Sequence, residues 1–97
     1  MERLAELRAQ IDSLDEELLQ LLAKRLNVVH KIGEVKQQHG LPIYVPQRES
    51  EMLQKKREAA TQLRLSPNLI EDILRRIMRE SYVSENQFGF KTVNPQI

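Results

Sequence analysis

Aliphatic side chains recur along the first part of the chain at helical spacing. Leu4, Ile11, Leu18 and Ile32 mark one row of successive heptads, and Leu7, Leu14, Leu21, Val28 and Val35 mark the other. Nine of the ten positions in these rows are aliphatic, which predicts one long helix over about residues 2–38 with an apolar seam. Arg25 takes the tenth. A guanidinium on a seam that should be dry needs an anionic partner, because an unpaired buried charge costs several kcal/mol. The next position over on the same face carries Arg8, Asp15, Leu22, Val29 and Lys36, so three cations lie on or beside the seam.

The pattern breaks at His39-Gly40-Leu41-Pro42, where Gly40 suits a helix C-terminus and Pro42 prevents continuation. Gly33 inside the helix costs about 1 kcal/mol relative to alanine without ending it. A short extended linker, 43–46, precedes a strongly polar second helix over about 47–63, whose thin apolar stripe is Met52, Leu53, Ala60 and Leu63. Ser66 is a good N-cap and Pro67 a good first helical residue. They open a third helix, about 67–85, expected to bury Ile70, Ile73, Leu74 and Ile77. Beyond Asn86 the chain has Gly89 and Pro95 and no period, which reads as a tail. Strand patterns are absent, so the expected class is all-α, with three helices and a very long first one.

Geometry argues for two copies. A helix of about 36 residues is about 54 Å long, whereas a compact domain of this size has a radius of gyration near ~13 Å. Two shorter helices cannot cover that seam, so a homodimer in which a second long helix covers it is expected. Arg8 and Lys36 are about 42 Å apart along one helix, too far to grip one small molecule. In an antiparallel pair, Arg8 of one chain approaches Arg25 and Lys36 of the other, giving two equivalent sites.

Composition narrows the function. Fifteen basic and fourteen acidic side chains leave a net charge of +1, which offers no general attraction for nucleic acid; anion recognition must be local. There is no cysteine and no tryptophan. No signal-peptide core follows Met1, and no run approaches the ~20 apolar residues of a membrane span, so a cytoplasmic protein with no membrane partner is expected. No Gly-rich phosphate loop, metal-ligand spacing or activated nucleophile is present, which implies neither metal nor cofactor. His30 and His39 read as surface residues.

The third helix repeats the anomaly of the first, because Ile70, Leu74 and Ile77 continue into Ser81 and then Glu85. Arg48 and Glu49 open the second helix. Together, Arg8, Arg25, Lys36 and Arg48 with Glu49, Ser81 and Glu85 would wall a charged cavity suited to two carboxylates and a hydroxyl. Each also has a plainer reading. Arg25 can set helix register, Arg8 and Lys36 can be solvated flanking charges, and Arg48-Glu49 can be a surface pair. Ser81 can bond within its helix, and Glu85 can lie at a fraying end. A non-catalytic helical dimerisation module would use the same pattern.

The segments Leu7-Arg8-Ala9-Gln10-Ile11-Asp12, Leu21-Leu22-Ala23-Lys24-Arg25, Ile32-Gly33-Glu34-Val35-Lys36 and Pro46-Gln47-Arg48-Glu49 closely resemble the all-helical, bacterial-type chorismate mutases. The stretch from Arg79-Glu80-Ser81-Tyr82 to Gly89-Phe90-Lys91-Thr92 is most similar to the branch in which the mutase is fused to a prephenate dehydrogenase. The resemblance implies a mutase domain over 1–88 and, over 89–97, a tail leading to a missing dehydrogenase. It also implies the Claisen rearrangement of chorismate to prephenate in aromatic amino acid biosynthesis, within an intertwined dimer. Arg8 from the partner chain and Arg25 would clamp the carboxylates, and Lys36 would contact a carboxylate and the ether oxygen. Glu49 would accept from the ring hydroxyl, with Arg48 and Ser81 completing the polar wall. Val45 stands where some relatives have aspartate, so any hydroxyl contact there must come from the backbone. Glu85 stands where the phenylalanine-branch relatives have glutamine, and it can donate to the ether oxygen only when protonated. An isochorismate-pyruvate lyase on the same fold is the chemical alternative.

Overall fold

The computed structural model describes the backbone of residues 1–89 and the side chains of residues 1–86. Three helices account for nearly all of it: α1 (Glu2–His39), α2 (Pro46–Gln62) and α3 (Pro67–Gly89). The class is all-α. Apart from Gly89, which ends α3, the expected tail over 89–97 lies outside the described residues.

The chemistry of the helix ends is local. Gly40 closes α1 at φ 63°, with its own N–H donating to the Gln37 carbonyl and the Leu41 N–H reaching back to that of Lys36. This double closure needs a left-handed residue, which glycine supplies without steric cost. Pro46 starts α2 one residue earlier than its apolar pattern suggested, since a fixed φ and a missing N–H cost nothing in a first turn. The Ser66 hydroxyl accepts from the Leu69 N–H at 3.2 Å, capping α3 as expected. That helix outruns its expected end at residue 85, because no helix breaker occurs before Gly89.

Packing corrects the single-seam reading. Both α1 and α2 pack on α3, and they do not pack on each other. The face of α1 turned to α3 is the flanking row Leu22, Arg25, Val29, Gly33 and Lys36, of which Val29 and Gly33 are buried. The aliphatic heptad rows are exposed throughout, from Leu7 at 40% to Leu21 at 60%. Arg25 thus belongs to the stripe that meets the chain's own α3 rather than to the bare one. The buried apolar core is small: Val29, Leu53, Ala60 and Met78. Ile73 and Leu63, expected inside, are exposed, and Met78 takes the inward position on α3. His30, read as a surface residue, is half-buried.

The chain is rod-like, 56 × 25 × 21 Å, with a radius of gyration of 17.1 Å. A compact domain of this length would measure about 13 Å. The residues of α1 up to Leu21 are all exposed and extend beyond the part held by α3. Among the described residues, no helix is long and apolar enough to cross a membrane.

Candidate functional site

The C-terminal half of α1, the linker and the facing sides of α2 and α3 border a half-open cavity of about 520 Å³. Its apolar walls include Val29, Ile32, Met52, Leu74 and Met78. Seven of the residues singled out from the sequence line it: Arg25, Lys36, Val45, Arg48, Glu49, Ser81 and Glu85. Arg8 does not. It lies on the exposed N-terminal part of α1, four to five turns before Arg25.

Each polar group is positioned by its helix. Arg25 Nη1 donates to Ser81 Oγ at 2.6 Å, and that hydroxyl donates to the Ile77 carbonyl at 2.9 Å. The intrahelical bond orients the serine oxygen toward the guanidinium, so Ser81 both bonds within its helix and holds Arg25. Among the described residues, neither Arg25 nor Arg48 has an ion-pair partner. A half-buried guanidinium held by one neutral hydroxyl keeps most of its donors available for an anion.

Lys36 Nζ donates to the Ile43 carbonyl at 2.6 Å and lies 2.6 Å from Glu85 Oε1. Glu85 is almost fully buried, at 4% exposure, and lines the cavity, so the plainer reading of a solvated fraying end does not hold. Linker and helix are therefore joined through one ammonium. Val45, in extended conformation at φ −124° and ψ 98°, precedes α2; its carbonyl accepts from the Glu49 N–H at 3.1 Å. One lone pair of that carbonyl is committed to the helix, and a second remains for a donor.

Glu49 is held from α3. Tyr82 OH donates to its Oε2 at 2.9 Å, and Arg75 Nη1 donates to Oε1 at 3.3 Å. Burial, reinforced by the hydrogen bond and the charge of Glu49, pushes the Tyr82 phenol up to about 12. Arg75 also donates from Nε to Glu71 Oε2 at 2.8 Å, and Glu71 accepts from Arg57 at 2.9 Å. The hydrogen bond from Arg75, followed by its charge and by Arg57, holds the Glu71 carboxyl below the usual range. Sequence reasoning passed over Tyr82, Arg75, Lys55 and Lys56, although Tyr82 and the two lysines line the cavity. The available signal for Tyr82 was a polar-tipped aromatic next to Ser81, one of only two tyrosines in the chain.

The cavity thus sets Arg25, Lys36, Arg48, Lys55 and Lys56 against the two carboxylates Glu49 and Glu85. A small dianion with an additional hydroxyl matches that inventory.

Comparison with known proteins gives the architecture a family context. Residues 7–86 match the family model described as chorismate mutase type II. The T-protein of Haemophilus influenzae is 62% identical over 97 residues, covering all of this chain and 26% of that protein. A chorismate mutase of Methanocaldococcus jannaschii is 29% identical over 94 residues, covering 97% of this chain and 95% of that protein. A bifunctional chorismate mutase/prephenate dehydratase of Aquifex aeolicus is 51% identical over 55 residues, 57% of this chain and 15% of that protein. The chain therefore spans about a quarter of the length of the T-protein it matches. In the Aquifex relative, a mutase is joined to a second activity.

Proposed function

The chain belongs to the chorismate mutase type II family, and we propose that it rearranges chorismate to prephenate in aromatic amino acid biosynthesis. The observation that carries this reading is Arg25: half-buried, held by the Ser81 hydroxyl, and without a carboxylate partner among the described residues, beside a 520 Å³ cavity. Arg25 and Arg48 are suited to the substrate carboxylates by their forked donors. Lys36 serves the ether oxygen and a carboxylate, exchanging its contact with Glu85 for the substrate. Glu49 accepts from the ring hydroxyl, and the remaining lone pair of the Val45 carbonyl supports it.

The rearrangement breaks one C–O bond and forms one C–C bond within a single molecule, so the protein's task is to hold the folded conformer and stabilise charge on the departing oxygen. Glu85 contributes as a protonated carboxyl that donates to this oxygen; as a carboxylate it would oppose the developing charge. A million-fold acceleration needs about 8 kcal/mol, within reach of several charge-assisted hydrogen bonds in a dry site.

The fourth cation is Arg8 of the partner subunit. Support comes from the bare aliphatic stripe of α1, from Leu4 to Val35, which a second α1 would cover. An antiparallel arrangement carries each Arg8 toward the opposite cavity, giving a homodimer with two shared sites. We also propose that residues 1–88 form the mutase unit and that 89–97 lead into a prephenate dehydrogenase domain in the full-length protein. The greater length of the matched T-protein supports this.

The test is incubation of the chain with chorismate and identification of the product. Prephenate is the expected result. With isochorismate supplied as well, pyruvate release without prephenate from chorismate would establish a lyase on the same fold. No turnover of either by a folded dimer would leave a dimerisation module.

A further inference from the structure

The carboxylate of Glu49 faces two spaces. It lines the main cavity and also an outer recess bordered by Tyr44, Leu53, Arg57, Glu71 and Arg75. A glutamate in a first helical turn has several rotamers available and no fixed direction of its own. Here both oxygens are held from another helix, one by the Tyr82 hydroxyl and one by Arg75. Those donors are themselves anchored. The Tyr82 ring meets the Tyr44 ring edge-on, centroids 5.5 Å apart at 71°, and Arg75 is tied to Glu71. Because Ser81 and Glu85 also sit on α3, Tyr82 registers an α2 carboxylate against the α3 part of the same wall.

A carboxylate offers about four lone-pair sites. Two are occupied from α3, which leaves capacity for a donor arriving from the cavity. We propose that Tyr82 is a positioning residue whose hydroxyl, together with Arg75, aims the Glu49 carboxylate at the ring hydroxyl of the substrate. The inference rests on the reading of this cavity as a chorismate site. The phenol stays a donor throughout the neutral range, since its burial and the neighbouring carboxylate keep it protonated.

The experiment is a double-mutant cycle of Tyr82→Phe and Glu49→Ala, read as kcat and KM for chorismate and as Kd for prephenate, which needs no turnover. Phenylalanine keeps the ring against Tyr44 and removes only the hydroxyl. Loss of one hydrogen bond of ordinary strength to the aligned carboxylate should raise KM and the prephenate Kd about five- to tenfold. The value of kcat should stay within about twofold, because the ring hydroxyl is not the reacting centre and its contact is similar in ground and transition states. In the Glu49→Ala background, the Tyr82→Phe effect should vanish. A wild-type KM and Kd in Tyr82→Phe, or an equal loss in both backgrounds, overturns the proposal. Wild-type KM and Kd in Glu49→Ala overturns the assignment of Glu49 itself, and the proposal with it. Failure of the unaltered chain to convert chorismate is a separate result, which overturns the functional reading.

Discussion

The two halves of α1 use different rows of one helix. From Leu22 to Lys36, the row meeting α3 combines Val29 and Gly33, which pack, with Arg25 and Lys36, which line the cavity. Up to Leu21, every residue is exposed, including the aliphatic heptad positions. One helix therefore has a polar-punctuated stripe that packs within its own chain and an aliphatic stripe that its own chain leaves bare. The first stripe carries chemistry. The second asks for a partner, since monomeric proteins rarely leave so large a contiguous apolar surface in water.

The sharpest way to break this division is Arg25→Leu, which takes the guanidinium out of the stripe that meets α3. If Arg25 served only helix register, the variant would retain function and gain stability. The site reading instead predicts a loss of about a thousandfold in kcat/KM, as expected for removing a charge-assisted clamp of 3–5 kcal/mol. Steady-state kinetics with chorismate and chemical denaturation of the same preparation decide between them.

The next largest effect belongs to the bare stripe. Leu14→Glu places a charge on it, far from the cavity of its own chain. A lower oligomeric mass by light scattering and a loss of activity of about a hundredfold are expected, the latter from losing one anchoring guanidinium. Unchanged mass and activity would mean that a second copy does not cover this face.

Glu85→Gln sharpens the polar stripe. Glutamine keeps the size of the side chain and donates to the departing oxygen as an amide, so the variant should keep kcat/KM within about tenfold of the parent, whereas Glu85→Ala, which leaves no donor, should lose about a hundredfold. Equal losses in the two variants by steady-state kinetics would show that no hydrogen bond is donated from this position.

Much of this division is written in the sequence, but not all of it. The helix ends at Gly40 and Ser66 were legible because left-handed closure and hydroxyl capping require particular residue types. The rows of α1 were legible as periodicity, yet periodicity alone assigned Arg25 to the wrong one. Which row faces α3 depends on where the linker returns the chain, information that no single helix contains. Ile73 and Leu63 were misplaced for the same reason: apolar spacing identifies a face without identifying its neighbour. Tyr82 and Arg75 remained hidden because their role lies in a hydrogen-bond partner 33 and 26 positions away in sequence.

The second helix end was equally silent. Arg64 closes α2 at φ 61°, with its own N–H donating to the Thr61 carbonyl and the Leu65 N–H to that of Ala60. This is the geometry that Gly40 supplies at α1, built here on a residue that resists it. Arg64→Gly relieves about 1 kcal/mol of backbone strain, and the freer unfolded chain offsets part of that gain. The expected net stabilisation is about 0.5 kcal/mol, a rise of a few degrees in Tm, with kinetics unchanged. A fall in Tm by thermal denaturation would contradict it.

The most direct test of the account joins both stripes in one experiment. Arg8→Ala and Arg25→Ala chains, each inactive alone, are unfolded together in equal amounts and refolded. If each site takes Arg25 from one chain and Arg8 from its partner, half of the dimers are mixed and each has one intact site. The mixture should then recover about a quarter of wild-type turnover of chorismate to prephenate. A mixture as inactive as its two parents would contradict a site shared across the pair.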